Sequence, residues 1–426
     1  PKRIAVIGAS EDPGRIGSVI YAQLLNKRVR LFPVTDREEI IWGQPAHVTP
    51  EDLPGGIDLA VIAQNAARSV KTARICARRE IPFLIIMAGG FGEATIYWQG
   101  GEVMTLGLRW FEQAHGIIER LAAARGRRIH NSLQSNLIGY TRAWEPIVKT
   151  MFDGSIGSSL DYPNLYRRAV GGSPDEFNQT WLRAYREVQE AGIEVGVISV
   201  PNTATLDLGA ERFYSYFVDE CGISDFQLNT PFAGGAPNKA KHDLPLAPRR
   251  LGRFLTELAD NWLERGHGDG VRLGPFDELL RYFGEGHARL PCIWQDNCAK
   301  EFCCIDPEGN VAQCDCWITS YPEFRFGNIL RGGRSLSDVL EQSEARSSFR
   351  ARPEALIRDE DCVECDYLAV CHGGCPVRAY TRRGRLNDKD PYCETYRDLF
   401  AHMEKAAARV AGHQLEVGRA RVAGGS

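Results

Sequence analysis

The first 290 residues of this 426-residue chain are poor in cysteine, since only Cys76 and Cys221 precede Cys292. The chain also lacks an excess of positive charge, and its formal net charge of −4 argues against a nucleic-acid-binding surface. No apolar run is long enough to span a membrane, and the opening PKRIAVIGAS lacks the layout of a signal peptide. We therefore expect neither a nucleic acid nor a membrane as a partner. Because the sequence starts at Pro1, we expect further residues upstream.

Eleven of the thirteen cysteines are concentrated between Cys292 and Cys393. Eight of them have spacings suited to two four-thiolate sites: Cys292, Cys298, Cys314, Cys362, Cys365, Cys371, Cys375 and Cys393. Short loops of this kind let several sulfurs converge on one soft metal centre. Spacing alone leaves iron–sulfur clusters, structural zinc ions and disulfides open. Since thiolate clusters need reducing surroundings and disulfides an oxidising compartment, the cluster interpretation predicts a cytoplasmic protein.

Residues 1–95 alternate strand-like and helix-like segments, as a doubly wound α/β (Rossmann-like) domain does. The predicted strands are RIAVIG, VRLFPV, IDLAVIA and IPFLIIM. The turn after the first strand offers backbone N–H groups and a helix N-terminus that suit a phosphate. Its candidate binding residues are Gly8, Ser10, Gly14 and Gly17. NAD is disfavoured, because Pro33 and Val34 stand where a dinucleotide-binding strand ends in a carboxylate.

Residues 96–290 contain five strand–helix units, which predict much of a parallel β/α barrel. Ligands of such barrels lie at the carboxyl ends of the strands. The candidate binding residues at those ends are Gly100, Gly101, Glu102, Gln134, Asn136, Ser159, Asp161 and Asn202.

Residues 291–400 form the predicted metal domain, and residues 401–426 a helix and a disordered tail. DPEGN predicts a turn between two strands, with Gly309 at the position that needs a permissive backbone. Asp315, beside Cys314, is either a proton acceptor or a capping carboxylate. RARPEALIRDEDC is interpreted as a solvated, charged link. Cys303, Cys304 and Cys316 lie outside the eight cysteines with these spacings, and each is a buried apolar side chain, an alternate for a ligand or a resolving thiol, with burial as the default.

The order of the cysteine spacings resembles the SPASM domain of radical S-adenosylmethionine (SAM) enzymes, such as anaerobic sulfatase-maturating and peptide-modifying enzymes. That family carries Cys, Gly-x-x-x-x-Cys, Cys-x-x-Cys-x5-Cys-x3-Cys and a last Cys, and Gly309 precedes Cys314 accordingly. The resemblance implies two auxiliary [4Fe–4S] clusters with interleaved ligands. One set is Cys292, Cys298, Cys314 and Cys375, and the other is Cys362, Cys365, Cys371 and Cys393. It also implies that Asp315 takes the substrate proton.

Residues 96–235 resemble the radical SAM barrel. Gly100-Gly101-Glu102 is similar to the family's Gly-Gly-Glu-Pro, which holds the amino group of SAM, although Val103 replaces the proline. The strand ends at Gln134 to Asn136 and Ser159 to Asp161 are similar to later family motifs. This likeness implies SAM as a cofactor and a reducing electron donor as a partner. The family's Cys-x-x-x-Cys-x-x-Cys triad is absent, since only Cys76 precedes Gly100.

Residues 1–95 resemble the CoA-binding domain of NDP-forming acyl-CoA synthetases, from GAS at Gly8 to GGFGEA at Gly89, which implies CoA as a ligand. The alternative is a phosphate-loop scaffold that no longer binds a ligand. Taken together, the sequence predicts a radical SAM/SPASM-type iron–sulfur enzyme that modifies a peptide or protein side chain by radical chemistry. The alternative is a non-catalytic electron-transfer or CoA-responsive binding module without the primary SAM cluster. A scaffold held by zinc is a further alternative.

Overall fold

The structure is a computed structural model, and it describes residues 2–12, 16–25, 27–36, 39–64, 66–86, 93–232, 246–286, 288–359 and 361–423. The chain divides into two compact units. The first comprises Pro1–Ile96 and Arg109–Asn131, and the second comprises Tyr97–Leu108 and Ser132–Ser426. In the described ranges, no helix combines the length and the apolar character that a bilayer crossing requires.

The first unit contains a parallel sheet built from the four strands that the sequence predicts. Its elements are β1 (Arg3–Ile7), α1 (Ile16–Leu25), β2 (Arg30–Val34), β3 (Ile40–Ile41), β4 (Gln44–Pro45), β5 (Leu59–Ile62), α2 (Ala66–Arg78) and β6 (Phe83–Ile86). The sheet order is β2-β1-β5-β6, and β3 and β4 form a separate hairpin. Side chains of the central β1 and β5 are buried, as expected for parallel strands covered on both faces.

The middle of the chain continues the alternation of strands and helices. Its elements are β7 (Glu93–Trp98), α3 (Leu108–Ala123), β8 (Arg128–Leu133), α4 (Glu145–Met151), β9 (Ser155–Ser159), α5 (Pro174–Glu190), β10 (Glu194–Ser199), α6 (Thr203–Leu208), α7 (Ala210–Ser215), β11 (Asp225–Leu228), α8 (Pro248–Arg265), β12 (Arg272–Gly274) and α9 (Phe276–Glu285). Strands β9 to β12 form a parallel sheet in the order β12-β11-β10-β9. A parallel bridge from Gln134 to Gly157 connects the end of β8 to β9.

The last part of the chain is made of short elements and loops. Its elements are α10 (Cys298–Glu301), β13 (Cys304–Ile305), β14 (Asn310–Ala312), α11 (Asp315–Ser320), β15 (Gly327–Asn328), α12 (Leu336–Gln342), α13 (Glu344–Asp359), α14 (Leu368–Cys371), α15 (Pro376–Arg383) and α16 (Cys393–Ala423). The antiparallel β13–β14 hairpin turns at Gly309, whose φ is +80°, as the DPEGN pattern predicts. Fully buried Trp317 packs against Tyr321 and Phe349 and fixes α11 in the core.

One prediction about this region is wrong. The segment interpreted as a solvated link lies mostly in α13, and Arg352 within it is 5% exposed. Phe349, Arg352 and Leu356 are all buried and recur at helical spacing, so one face of the helix packs inward despite its charge. Helix α16 continues to Ala423, into the segment for which the sequence predicts disorder.

Candidate functional site

The turn between β1 and α1 holds the glycines for which the sequence predicts a phosphate site. Gly8 has a φ of +91°, and a Cβ placed there would lie 2.2 Å from the carbonyl oxygen of Ala63. A Cβ on Gly17 would lie 1.9 Å from the carbonyl oxygen of Gly8, so both positions require glycine. The buried hydroxyl of Ser10 accepts a backbone N–H at 3.1 Å. Gly14 lies outside the described residues, and phosphate binding by this turn stays a prediction.

Glu102 lies beyond the end of β7, and three donors hold its carboxylate. Its Oε1 accepts the N–H of Met104 at 3.0 Å and the hydroxyl of Ser135 at 2.8 Å. Its Oε2 accepts the N–H of Asn136 at 2.8 Å. An ionised carboxylate offers about four acceptor positions, so these bonds leave about one on Oε2 for a ligand. The structure thus brings Glu102 and Asn136 together.

Two other predicted residues meet at the ends of β8 and β9. The amide Nε2 of Gln134 donates to the hydroxyl of Ser159 at 3.1 Å. Asp161 has different partners, since its Oδ1 accepts the N–H of Val200 at 3.0 Å and its Oδ2 pairs with Arg167 at 2.6 Å. Gln134 and Ser159 therefore form one hydrogen-bonded pair. Asp161 instead connects the loop after β9 to the residue that follows β10.

The remaining candidates at the strand ends differ in their surroundings. Gly100 has a φ of +138°, and a Cβ at either Gly100 or Gly101 would meet no atom within 4 Å. Asn202 caps α6, since its Oδ1 accepts the N–H of Thr205 at 3.1 Å and its Nδ2 donates to the carbonyl of Pro163 at 2.8 Å. A structural capping role accounts for Asn202, whereas the space beside the two glycines is open to a ligand.

The first cysteine set comes together at the starts of short helical segments. Cys292 begins a 3₁₀ turn, Cys298 begins α10, and Cys314 and Cys375 are the N-cap residues of α11 and α15. Cys292 and Cys298 line one cavity and interact electrostatically with Cys375, which in turn interacts with Cys314. Burial, followed by the neighbouring Cys375 and Cys292, raises the pKa of Cys298 to about 12. All four thiols of this set thus converge.

The second cysteine set lines a single cavity. Its members are Cys362, Cys365, Cys371 and Cys393, and Lys389 and Arg397 lie in the same wall. Burial, followed by Asp390 and Cys393, raises the pKa of Cys371 to about 12. Protonated thiols must release protons when they bind a metal, so the loading of this cavity depends on pH. All thirteen cysteines lie in the described part of the chain, and none of them forms a disulfide there.

Asp315 is the first residue of α11 and is exposed. Its Oδ1 accepts the N–H of Cys316 at 2.9 Å. A carboxylate oxygen of Asp315 and the sulfurs of Cys314 and Cys316 all lie within 4.8 Å of one another. The structure therefore places an accessible carboxylate at the edge of the first cysteine set, with room to meet a substrate from solvent.

A buried ion pair that the sequence analysis does not identify links the two sets. The Asp390 side chain is 1% exposed, and its Oδ2 accepts the Nε–H of Arg378 and the backbone N–H of Cys375, both at 2.9 Å. Asp390 also lies in the wall of the second cavity. Arg378 additionally donates to the hydroxyl of Tyr396 at 2.7 Å. The signal available in the sequence is that Arg378 and Asp390 each lie three residues from a predicted cysteine ligand.

Arg352 is a second buried cation between the sets. Its guanidinium donates to four backbone carbonyls at 2.9 to 3.2 Å, those of Gly373, Gly374, Leu386 and Asp388. It also interacts electrostatically with Cys298 and Cys375 of the first set and with Cys371 of the second. One side chain thus stabilises the loops of both sites and faces thiols from each.

Comparison with known proteins agrees with these features. The chain is 26% identical over 322 residues to a cysteine-type anaerobic sulfatase-maturating enzyme of Clostridium perfringens, across 73% of this chain and 81% of the relative. It is 25% identical over 331 residues to a serine-type anaerobic sulfatase-maturating enzyme of Bacteroides thetaiotaomicron, across 72% and 75% of the two chains. Its homologues are anaerobic sulfatase-maturating radical SAM enzymes.

The solved structures and the N-terminal matches extend this result. A structure of native anSMEcpe with bound AdoMet and a peptide has a TM-score of 0.63 at 23% identity, across 76% of this chain and 86% of that chain. Residues 2–130 match a family model described as a CoA binding domain. The chain is also 34% identical over 94 residues to the alpha subunit of ADP-forming acetate–CoA ligase II of Pyrococcus furiosus, across 22% of this chain and 21% of the relative. The predicted mixed α/β fold class and both resemblances are confirmed.

Proposed function

We propose that this radical SAM homologue binds two [4Fe–4S] clusters through its two cysteine sets and modifies a Cys or Ser side chain of a protein or peptide. The observation behind the proposal is the convergence of four thiols at each of two places in the second unit. The names of the relatives, which mature sulfatases, and the peptide bound to anSMEcpe support a polypeptide substrate.

The spread of the sulfurs favours clusters over zinc. Among the described residues, Cys314, Asp315 and Cys316 make up the one group of three or more potential ligands whose atoms all lie within 4.8 Å of one another. A tetrahedral zinc ion with Zn–S bonds of about 2.3 Å places its sulfurs about 3.8 Å apart. Each four-cysteine set is more widely spread, as suits thiolates that bind separate irons. When bound, such clusters supply one-electron transfer.

The strand ends of the second unit support SAM as a ligand. Glu102 has an acceptor position left on Oε2, which suits the amino group of an amino acid. The open space at Gly100 and Gly101 lets a ligand approach the backbone beside that carboxylate. Gln134 and Ser159 offer further polar groups at the ends of the neighbouring strands. Through these contacts the chain would position SAM.

Asp315 is the proposed general base for the substrate side chain. It is exposed, lies beside the first cysteine set, and makes one short bond to a backbone N–H that leaves acceptor positions on both oxygens. A general base of this kind contributes roughly 10²- to 10⁴-fold to a rate. Its position lets it take a proton from a Cys or Ser side chain bound next to the first set.

A second candidate function is a non-catalytic cluster-bearing binding module that responds to CoA. The observation in its favour is that no Cys-x-x-x-Cys-x-x-Cys triad occurs in these 426 residues. The one cysteine that precedes Gly100 is Cys76, which is fully buried in α2. The catalytic function therefore requires thiolates for the SAM-binding cluster from outside these residues. The match of residues 2–130 to a CoA binding domain supports CoA as the ligand of the module.

Anaerobic purification followed by incubation with SAM, a reductant and a Cys-containing peptide tests the proposal. About eight irons per chain are expected for two four-iron clusters, and about twelve where thiolates from outside these residues hold a third cluster for SAM. Formation of 5′-deoxyadenosine and a changed peptide mass would support the catalytic function. If iron is present but neither product forms, and calorimetry detects CoA binding, the second candidate stands.

Substitution of Asp315 tests whether it acts as the general base without a part in binding the cluster. In enzyme that modifies the peptide, Asp315→Asn should slow modification by about 10²-fold or more and leave the iron content unchanged. Glu308→Gln, an exposed change in the turn of the β13–β14 hairpin, is the matched control. Equal rates for the two variants would remove Asp315 from the mechanism.

A further inference from the structure

The first cysteine set contains a fifth thiol, that of Cys316. Its sulfur lies within 4.8 Å of the sulfur of Cys314, and the two side chains are hydrogen-bonded. Cys316 also interacts electrostatically with Cys292 and Cys375. Three of the four proposed ligands of the first cluster therefore have Cys316 as a neighbour, although a four-iron cluster takes only four cysteines.

The start of α11 explains why these two sulfurs are close. Cys314 is the N-cap residue, and Cys316 is the second residue of the helix. The next residues, Trp317 and Ile318, are buried in the core of this domain, which fixes the orientation of the helix. Because the first turn is fixed, the backbone holds the Cα atoms of both cysteines at the same end of α11.

Coordination geometry then distinguishes this pair from the other cysteines. With metal–sulfur bonds of about 2.3 Å, two sulfurs that reach the same metal atom lie less than about 4.6 Å apart. The separation of Cys314 and Cys316, which is within 4.8 Å, is of this order, and the two side chains are also hydrogen-bonded. Either Cys314 or Cys316 can therefore coordinate the same iron atom.

We propose that Cys316 is an exchangeable ligand of the first cluster, so that either Cys314 or Cys316 holds one and the same iron. In the exchange, the Cys316 sulfur–iron bond forms, the Cys314 sulfur–iron bond breaks, and the proton of the Cys316 thiol passes to Cys314. The number of electrons on the cluster does not change. This inference rests on the two-cluster part of the proposed function.

Iron content of anaerobically purified full-length variants tests the exchange. The variants Cys314→Ala and Cys316→Ala should each retain about eight irons per chain, because the remaining thiol completes the site. The double variant should retain about four irons, and Cys375→Ala, which removes a different ligand and leaves the Cys314–Cys316 pair in place, should also retain about four. Circular dichroism and the electron paramagnetic resonance signal of the second cluster establish that each variant is folded.

Iron content distinguishes failure of the ligand exchange from failure of the two-cluster assignment. If either single variant loses four irons as Cys375→Ala does, Cys316 is not an exchangeable ligand. If the unsubstituted chain itself holds fewer than about eight irons, the two-cluster assignment fails first. A shifted signal of the first cluster in Cys314→Ala, with its iron retained, is the spectroscopic signature expected of a cluster bound through Cys316.

Discussion

The two cysteine sets differ in how their members are brought together. The second set comes from one short stretch ending at Cys393, and its four thiols line one cavity beside Lys389 and Arg397. The first set begins at Cys292 and ends at Cys375, and its thiols meet only after the β13–β14 hairpin and α15 are in place. A local pattern therefore specifies the second set, whereas long-range folding specifies the first.

The sets also differ in their immediate chemistry. The first set has an accessible carboxylate and a fifth thiol at its edge, from Asp315 and Cys316. The wall of the second has the basic side chains of Lys389 and Arg397, and Lys389 pairs with Asp361 of the same wall at 2.9 Å. Under the proposed function, the accessible carboxylate assigns the substrate chemistry to the first site.

The largest expected effect comes from Asp390, because it connects the two sets. Asp390→Asn would leave buried Arg378 without its partner, and breaking a buried ion pair costs about 3–5 kcal/mol. Because Asp390 also accepts the N–H of Cys375 and lines the second cavity, both clusters should be lost together. Urea unfolding and iron content measure the two effects.

The matched control for Asp390 is an ion pair in solvent. Asp277→Asn removes the partner of the half-exposed Arg281 and should change stability by less than about 1 kcal/mol. Loss of iron from the second set alone in Asp390→Asn would show that the two sites fold independently, and would contradict the connection inferred here.

The next effect concerns Arg352, which faces thiols of both sets. Arg352→Met leaves four carbonyls without their donor and should cost about 2–4 kcal/mol. It also removes a positive charge, which should lower the midpoint potential of both clusters because the more negative reduced state loses its stabilisation. Redox titration of the clusters measures this shift.

Two variants separate charge from structure at this position. Arg352→Lys retains the charge but loses the planar fork, so stability should fall while the potentials stay near those of the unsubstituted protein. Arg350→Met, on an exposed side chain of the same helix, should change neither property. A shift in the midpoint potential of only one cluster would contradict the prediction that Arg352 acts on both.

The parts of the fold that the sequence predicts are those with local signals. Apolar runs predict the four strands of the first unit, and the permissive backbone at Gly309 predicts the hairpin turn. The charge of Arg352 predicts exposure, whereas the helical spacing of the buried Phe349 and Leu356 around it places the side chain in the core. The convergence of Cys314 with Cys375 depends on tertiary packing, and only the family resemblance, not the spacing, predicted it.

The smallest expected effect comes from Glu278, in which one carboxyl oxygen is buried without a hydrogen-bond partner among the described residues. Glu278 Oε2 has no hydrogen-bond partner among the described residues, and burial raises the pKa of Glu278 above its usual value of 4.5. A raised pKa means that the folded state favours the protonated form, so this contribution to stability is present below pH 4.5 and is lost as pH rises through the folded pKa.

Glu278→Gln should therefore stabilise the protein at pH 7 by less than about 1 kcal/mol and have almost no effect near pH 4. The change in the free energy of unfolding is opposite in sign to that of Asp390→Asn. A neutral amide removes the cost of ionising the unpaired oxygen of Glu278, whereas at Asp390 it removes one partner of a buried ion pair. Urea unfolding of both variants across this pH range makes the comparison. Destabilisation by Glu278→Gln at pH 7 would mean that the carboxylate of Glu278 is ionised and paired in the folded protein, in the same way as that of Asp390.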